Sequence, residues 1–242
     1  MSPLIDCFEF QKHHVISLIG SGGKTSLMWY LANCYRKEKI LVSTTTKIGY
    51  PIDRPYDYFY SENFSNMGQD GQGITLAGAY TANKYKLSAP PIDFQEFFHK
   101  FDKVFLEADG SKQLPLKGWE TFEPVILPET TVTVGLLPIS VLGKTVDQTT
   151  VHRLPLFTRA TGIKAGEKIK EETLAEIISS PTGLFAKSQG QRILCINQVE
   201  TSEQLFQAKK VFSLLPNMLL KRLSKVIACN IQSGEGTILW KR

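Results

Sequence analysis

The chain has 242 residues, 42% of them hydrophobic and 21% charged, with a formal net charge of +5. That is ordinary globular usage, long enough to bury a sizeable core and without an apolar run near the roughly 18 residues that a membrane span needs. The mild charge, carried without a long Lys/Arg run, favours small anions as much as nucleic acid, so no nucleic-acid or membrane partner is expected.

The N-terminus lacks the basic start and apolar stretch of a signal peptide. Cys7, Cys34, Cys195 and Cys229 form no Cys-x-x-Cys pair. A cytoplasmic protein with reduced, mostly buried thiols is expected rather than a zinc site or a disulfide framework. Residues 15–19 have the length and apolarity of a buried parallel strand, which ends at a glycine cluster. From 24 to about 37, Leu27, Met28, Leu31, Ala32 and Tyr35 recur at helical spacing, and 40–44 reads as a second buried strand. The crossover of this strand-helix-strand unit should be right-handed.

Residues 50–75 carry Pro, Gly, Asn, Asp and several tyrosines without a period, the pattern of a loop-rich insertion. A strand is expected at 74–77, a short helix at 94–101, and strands at 103–107 and 131–137. The segment from about 143 to 181 holds a helical pattern at 169–178 and is read as a small helical subdomain. A strand at 192–197 follows, then a helix at 202–215. Thr201 and Gln204 have capping-box spacing at its start and Pro216 marks its end. Strands at 225–229 and 236–240 complete the chain. Alternating apolar strands and helices predict one α/β domain over 1–242: a P-loop NTPase-like, doubly wound, mostly parallel sheet with a small helical insertion.

The segment Gly20-Ser21-Gly22-Gly23-Lys24-Thr25-Ser26 lies between the first strand and its helix. A polyphosphate needs many donors close together, and a glycine-rich turn lets backbone N–H groups converge with no Cβ atoms in the way. The helix N-terminus directs unpaired N–H groups and its dipole to the same spot. Lys24 would sit on the β- and γ-phosphates of ATP or GTP, Thr25 would ligate Mg²⁺, and Ser26 is a second hydroxyl in reserve. The full G-x-x-x-x-G-K-[ST] spacing would put its first glycine at Leu18. The shorter G-x-x-G-K-T present here resembles the loop of the Mur ligases, in which the lysine and hydroxyl are kept and the loop is trimmed.

The run at 104–109 ends in Glu107 and Asp109, candidates to hold the metal shell and to orient water or substrate. Thr44, Thr45, Thr46 and Lys47 follow the second strand, where loops collect round a ligand in parallel sheets. Asn197-Gln198-Val199-Glu200 resembles the Asn-Lys-x-Asp motif of GTPases with two replacements. Guanine specificity does not follow from it; Asn197 is a candidate for a base edge or a plain turn residue. His152 is a candidate acid or base beside the guanidinium of Arg153. His13 and His14 precede the first strand, at the opposite edge of the sheet, and read as structural.

Taken together, the chain resembles the YqeC family, described as accessory proteins for selenium-dependent molybdenum hydroxylases. The resemblance rests on Ile19 to Thr25, Ser43 to Ile48, Glu107 to Lys112, Pro115 to Lys117, Glu123 to Ile126, Val151 to Arg153 and Ile196 to Glu200. It implies a role in maturing a selenium-containing molybdenum cofactor with nucleotide hydrolysis, and an apo-hydroxylase as partner. Beside the phosphates, Lys112 and Lys117 are expected to offer charge to an anionic substrate. Two other readings stay open: a nucleotide-gated cofactor chaperone, and an ATP-dependent ligase with a Mur-like loop.

Overall fold

Short apolar runs become central strands when both faces of a sheet are covered, because successive side chains then alternate between two buried layers. The computed structural model describes residues 1–83 and 85–242 and is α/β, built on a ten-stranded sheet. In chain order its strands are β1 (Ser2–Pro3), β2 (His14–Gly20), β3 (Lys39–Thr44), β4 (Tyr58–Tyr60), β5 (Gly73–Ala77) and β6 (Lys103–Glu107). They continue with β7 (Val132–Pro138), β8 (Gln191–Asn197), β9 (Lys225–Asn230) and β10 (Glu235–Lys241). The spatial order is β1-β10-β9-β8-β7-β2-β6-β3-β5-β4. All pairings are parallel except those of β10, which is antiparallel to both neighbours.

β2 lies in the middle of this order, between β6 and β7. The chain first builds outward through β3, returns with β6, and then crosses to the other flank with β7. The carboxyl end of β2 is therefore the place where loops from both halves of the sheet meet, the crevice in which parallel sheets collect ligands.

Alternation assigns each residue a layer. Ile16 and Leu18 of β2, Ile40 and Val42 of β3 and Phe105 of β6 share one core with Leu27, Met28 and Leu31 of helix α1 (Lys24–Cys34). On the opposite face Val15, Leu41, Val104 and Leu106 pack on Phe94, Phe98 and Phe101. Further along that face, Ile19, Leu137, Leu194 and Val226 join a cluster contributed by three helices, α2 (Leu154–Thr161), α3 (Glu171–Ser179) and α4 (Ser202–Ser213).

Several elements differ from the sequence expectation. Helix α1 stops at Cys34 rather than near 37, with the Tyr35 N–H bonded to the carbonyls of Leu31 and Asn33. The expected helix at 94–101 is a 3-10 helix over Phe94–Lys100. The loop-rich insertion contains the edge strand β4, and α2 is an additional helix, with Pro155 in its first turn and left-handed Gly162 at its end. Three short strands (Lys47–Gly49, Ala79–Tyr80 and Lys86–Ser88) form a side sheet, and Leu116–Lys117 pairs in parallel with Val151–His152. Cys7, Cys195 and Cys229 are buried while Cys34 is exposed. Among the described residues no helix is long and apolar enough to cross a membrane.

The capping box forms as the spacing predicts: the Thr201 hydroxyl accepts from the Gln204 N–H at 3.2 Å and Gln204 Oε1 accepts from the Thr201 N–H at 3.1 Å. Thr201→Ala is expected to cost about 1 kcal/mol, read from the urea unfolding midpoint.

Candidate functional site

The turn after β2 depends on its glycines. Gly20 has φ +96°, and a Cβ there would lie 2.2 Å from the Leu136 carbonyl oxygen of the adjacent strand β7. Gly23 has φ +131°, and its Cβ would lie 2.5 Å from Asn197 Nδ2. Gly20→Ala therefore combines left-handed strain with a clash against backbone, and is expected to cost well over the about 1–2 kcal/mol of the strain alone. Gly143, at φ +79° with open space round its Cα, provides the comparison that isolates the strain. Urea unfolding of the two variants measures the difference.

Gly23 is the N-cap of α1 and, among the described residues, no side chain caps that end. The helix thus presents its free N–H groups and positive dipole end to the turn. Lys24 folds back into the turn and is buried: Nζ donates to the Gly20 carbonyl at 2.7 Å and lies 3.2 Å from Asp109 Oδ1 and 3.7 Å from Glu107 Oε1. The Thr25 hydroxyl donates to Glu107 Oε2 at 2.6 Å. Phe105 packs in the α1 core, and Glu107, two residues further along β6, is carried by the same alternation to the helix side of the sheet.

Strand β6 stops at Glu107, and Asp109 lies beyond it, fully buried. Its carboxylate accepts from the Gly20 N–H at 3.0 Å, from Trp119 Nε1 at 2.7 Å and from Lys117 Nζ at 3.3 Å, in addition to facing Lys24. Burial alone would raise the Asp109 pKa, but Lys24, Lys117 and these N–H donors outweigh it and hold the carboxyl below its ordinary value. For Glu107 burial wins and the pKa is raised, despite Lys24 and Thr25. Burial would lower Lys24, yet Asp109 and Glu107 reverse this and its pKa is raised.

From Asp109 a chain of alternating charges runs outward. Lys117 is fully buried, donating to the Gly110 carbonyl at 2.6 Å and to Glu123 Oε2 at 2.9 Å. Glu123 is gripped in turn by both terminal nitrogens of Arg153. The expectation that Lys117 serves an external anion is corrected here: its ammonium is consumed by Asp109, Glu123 and backbone, while Lys112 remains exposed. Trp119, Glu123 and the coupling of Lys117 to Asp109 were not assigned from sequence. The available signal was a lysine set between apolar Leu116 and Trp119 with an acid close downstream.

The other candidates divide into those that reach the turn and those that do not. The Ser21 hydroxyl donates to the Pro115 carbonyl at 2.7 Å, tying the loop to the segment before Lys117. Gly22 receives Asn197, whose Nδ2 donates to the Gly22 carbonyl at 2.7 Å while its Oδ1 accepts from the Ile231 N–H at 3.2 Å. The Asn197 amide thus braces the turn. The Thr44 hydroxyl donates to the Glu107 carbonyl at 2.7 Å and that of Thr45 to the Val125 carbonyl at 2.6 Å; Lys47 is exposed. His152 is half-buried on the strand paired with Lys117 and makes no hydrogen bond with the turn among the described residues. Its pKa is lowered by burial and then by Arg153, Lys117 and Lys112.

Beside the turn opens a cleft of about 750 Å³ that runs along α1 past Gly23, Ser26, Tyr30 and Cys34. Its other walls are the ends of β8 and β9 and Arg54 from the insertion. Among the described residues no three His, Cys, Asp or Glu side chains come together as a metal site.

A family model described as YqeC protein matches residues 16–155, a span that holds the glycine turn, Glu107, Asp109, Lys117, Glu123 and Arg153. "Uncharacterized protein YqeC" of Escherichia coli (strain K12) is 27% identical over 209 residues, covering 83% of this chain and 82% of that protein. With more than half of its length matched by the family model, the chain belongs to the YqeC family.

Proposed function

We propose that this chain is a P-loop NTPase-like protein that binds ATP or GTP with Mg²⁺ at the Gly20–Ser26 turn and hydrolyses it. The observation that carries the reading is the convergence of an uncapped helix N-terminus, a buried Lys24 and the Thr25–Glu107 pair at the carboxyl end of the central strand. An ordinary strand-to-helix turn has no reason to bury a lysine between two carboxylates, since the desolvation must be offset by an unusually complete set of partners.

The residues fit a magnesium-bound polyphosphate. The left-handed glycines let the turn pack directly against Leu136, Pro138 and Asn197, and a hydroxyl beside a carboxylate supplies hard oxygen donors, with the remaining ligands of the ion coming from phosphate and water. Mg²⁺ held by Thr25 and Glu107 would add positive charge at the phosphate oxygens. Lys24 supplies its ammonium to the same charge, and the N–H groups of residues 22–26 wrap it. Glu107, held at the Thr25 hydroxyl, would position a water of the ion's shell for attack on the terminal phosphate. Asp109 has no free acceptor to offer and acts by fixing the Gly20 N–H and Lys24. His152 is assigned to a second substrate, in the region of Lys112.

A further part of the proposal, that hydrolysis assists maturation of the selenium-containing molybdenum cofactor of an apo-hydroxylase, rests on the motif resemblance read from the sequence. Release of inorganic phosphate from Mg·ATP or Mg·GTP tests the core of the reading. Glu107→Gln should lower it by at least about a hundred-fold. Phosphate release no faster than in a protein-free control at saturating nucleotide would contradict hydrolysis.

One observation favours a nucleotide-gated carrier as a second reading. The buried chain Lys24–Asp109–Lys117–Glu123–Arg153 links the turn to the exposed stretch at Lys112 and Gln113 and to the start of α2. Nucleotide-dependent hydrogen exchange over 110–123 and 153–161 would support it, and exchange unchanged by nucleotide would oppose it.

A further inference from the structure

The cleft along α1 begins at Gly23 and Ser26 and is therefore continuous with the proposed phosphate cradle. A nucleotide whose phosphates sit at the turn would extend its nucleoside part into this cleft. The chemistry of the walls then decides which base fits.

Several polar groups on the walls are already engaged. The Asn197 amide holds Gly22 and Ile231. Asn230 Oδ1 accepts from the N–H groups of Gln232 at 3.0 Å and Ser233 at 3.4 Å, and Gln198 Oε1 accepts from the Ser140 hydroxyl. Ser26, Asn33 and Gln232 make no side-chain hydrogen bond among the described residues, but each can both donate and accept and so discriminates little between bases. Two charged side chains are different in kind. Glu200 and Arg54 both line the cleft and both are exposed, and among the described residues neither forms a hydrogen bond or ion pair through its side chain. The backbone carrying Glu200 is nonetheless pinned: its N–H donates to Gln204 Oε1 at 2.8 Å, and the Val199 N–H donates to the Cys229 carbonyl at 3.0 Å. Glu200 is thus an unpaired, acceptor-only side chain on an anchored backbone just beyond the end of β8.

We propose that this cleft selects guanine nucleotides, with the Glu200 carboxylate as the group that reads the base. The inference rests on the nucleotide reading above. A carboxylate has two acceptor oxygens and no donor. Guanine presents two adjacent donors, N1–H and the 2-amino group, which match them. Adenine presents its 6-amino donor next to the N1 lone pair, so one carboxylate oxygen would face an acceptor. Arg54 complements the assignment, because its forked donors suit the O6 and N7 acceptors of guanine, the edge opposite in character to the one Glu200 takes. Asn197 reads as a base edge or as a turn residue; its amide is committed to the turn, and the base-edge role is given to Glu200.

The test is calorimetric titration of the full chain with Mg·GDP, Mg·ADP and Mg·XDP, and with magnesium tripolyphosphate as a ligand without a base. Wild type should prefer GDP over ADP by roughly ten- to a hundred-fold, the loss expected when hydrogen bonds to a charged group are replaced by repulsion. Xanthine carries a carbonyl in place of the 2-amino group, so Glu200→Gln, whose amide offers one donor and one acceptor, should weaken GDP and strengthen XDP. Glu200 is exposed, and the variant should melt with wild type.

Equal affinity for GDP and ADP, or a base preference unmoved by Glu200→Gln, in a protein that does bind tripolyphosphate, would overturn this inference and leave the cradle standing. Failure of the wild type to bind any of the four ligands would contradict the cradle itself.

Discussion

Lys24→Ala is expected to lose measurable binding of nucleotide and tripolyphosphate, a fall of at least about a hundred-fold, since charge-assisted bonds to phosphate oxygens are among the stronger single contacts a side chain makes. The loss should be interpretable because the variant should still fold. Removing one partner of a buried ion pair costs about 3–5 kcal/mol when the remaining charge is orphaned. Here Asp109 keeps the Gly20 N–H, Trp119 and Lys117. Glu107, whose pKa burial already raises, can take up a proton instead of remaining an unpaired anion. The destabilisation should therefore fall short of that range. Thermal unfolding run beside the titration checks it. A variant that folds and binds nucleotide like wild type would show that Lys24 is a structural lysine.

Asp109→Ala should have the largest effect on stability of any single substitution at the site, on the order of 4–5 kcal/mol. It would leave Lys24 without its nearer carboxylate, deprive buried Lys117 of one of two anions, and strand the N–H groups of Gly20 and Trp119. Asp109→Asn keeps an acceptor for the N–H groups while losing the charge, and should cost less. The pH dependence separates the acids. The folded pKa values of Asp109 and Glu123 lie below their ordinary values of 3.8 and 4.5. Their contribution is fully present above those values and is lost as pH falls through the lower folded ones. Glu107 is raised above 4.5 and has the opposite sign: its contribution is present in acid and is lost as pH rises through its folded value. Urea midpoints measured from pH 5 down to about 2 on wild type and Asp109→Asn should show a shallower acid loss in the variant. Equal slopes would mean that Asp109 is not the clasp described.

The parts of the architecture that could be read from sequence are those written in local pattern. β2, the glycine turn and α1 follow from an apolar run, three glycines and a helical period, and the Thr201–Gln204 box follows from spacing alone. What escaped was encoded by distant partners. β1 is two residues long and exists because β10 offers it an edge. Helix α2 spans only eight residues, too few to repeat a period clearly. Lys117 reads in sequence as charge for an anionic substrate; its burial follows from Asp109 and Glu123 converging on it in three dimensions. Asn197 ends a strand, where a ligand-facing role is the natural expectation, yet it is the amide that fixes Gly22. Arg54 and Glu200 share a cleft because the insertion after β3 and the end of β8 both reach α1, which neither segment signals. For Lys117 and Asn197 the local rule failed at a polar group drawn toward the turn, the behaviour expected where a sequence serves a site rather than a core.

The most direct test of the account is calorimetric titration of the wild-type chain with ATP and with GTP, each with and without Mg²⁺. The account predicts one nucleotide bound per chain, tightened by Mg²⁺ and abolished in a folded Lys24→Ala protein. Heat of binding absent for both nucleotides in the presence of Mg²⁺ would contradict it, and would leave the buried Lys24, Glu107 and Asp109 as a purely structural cluster.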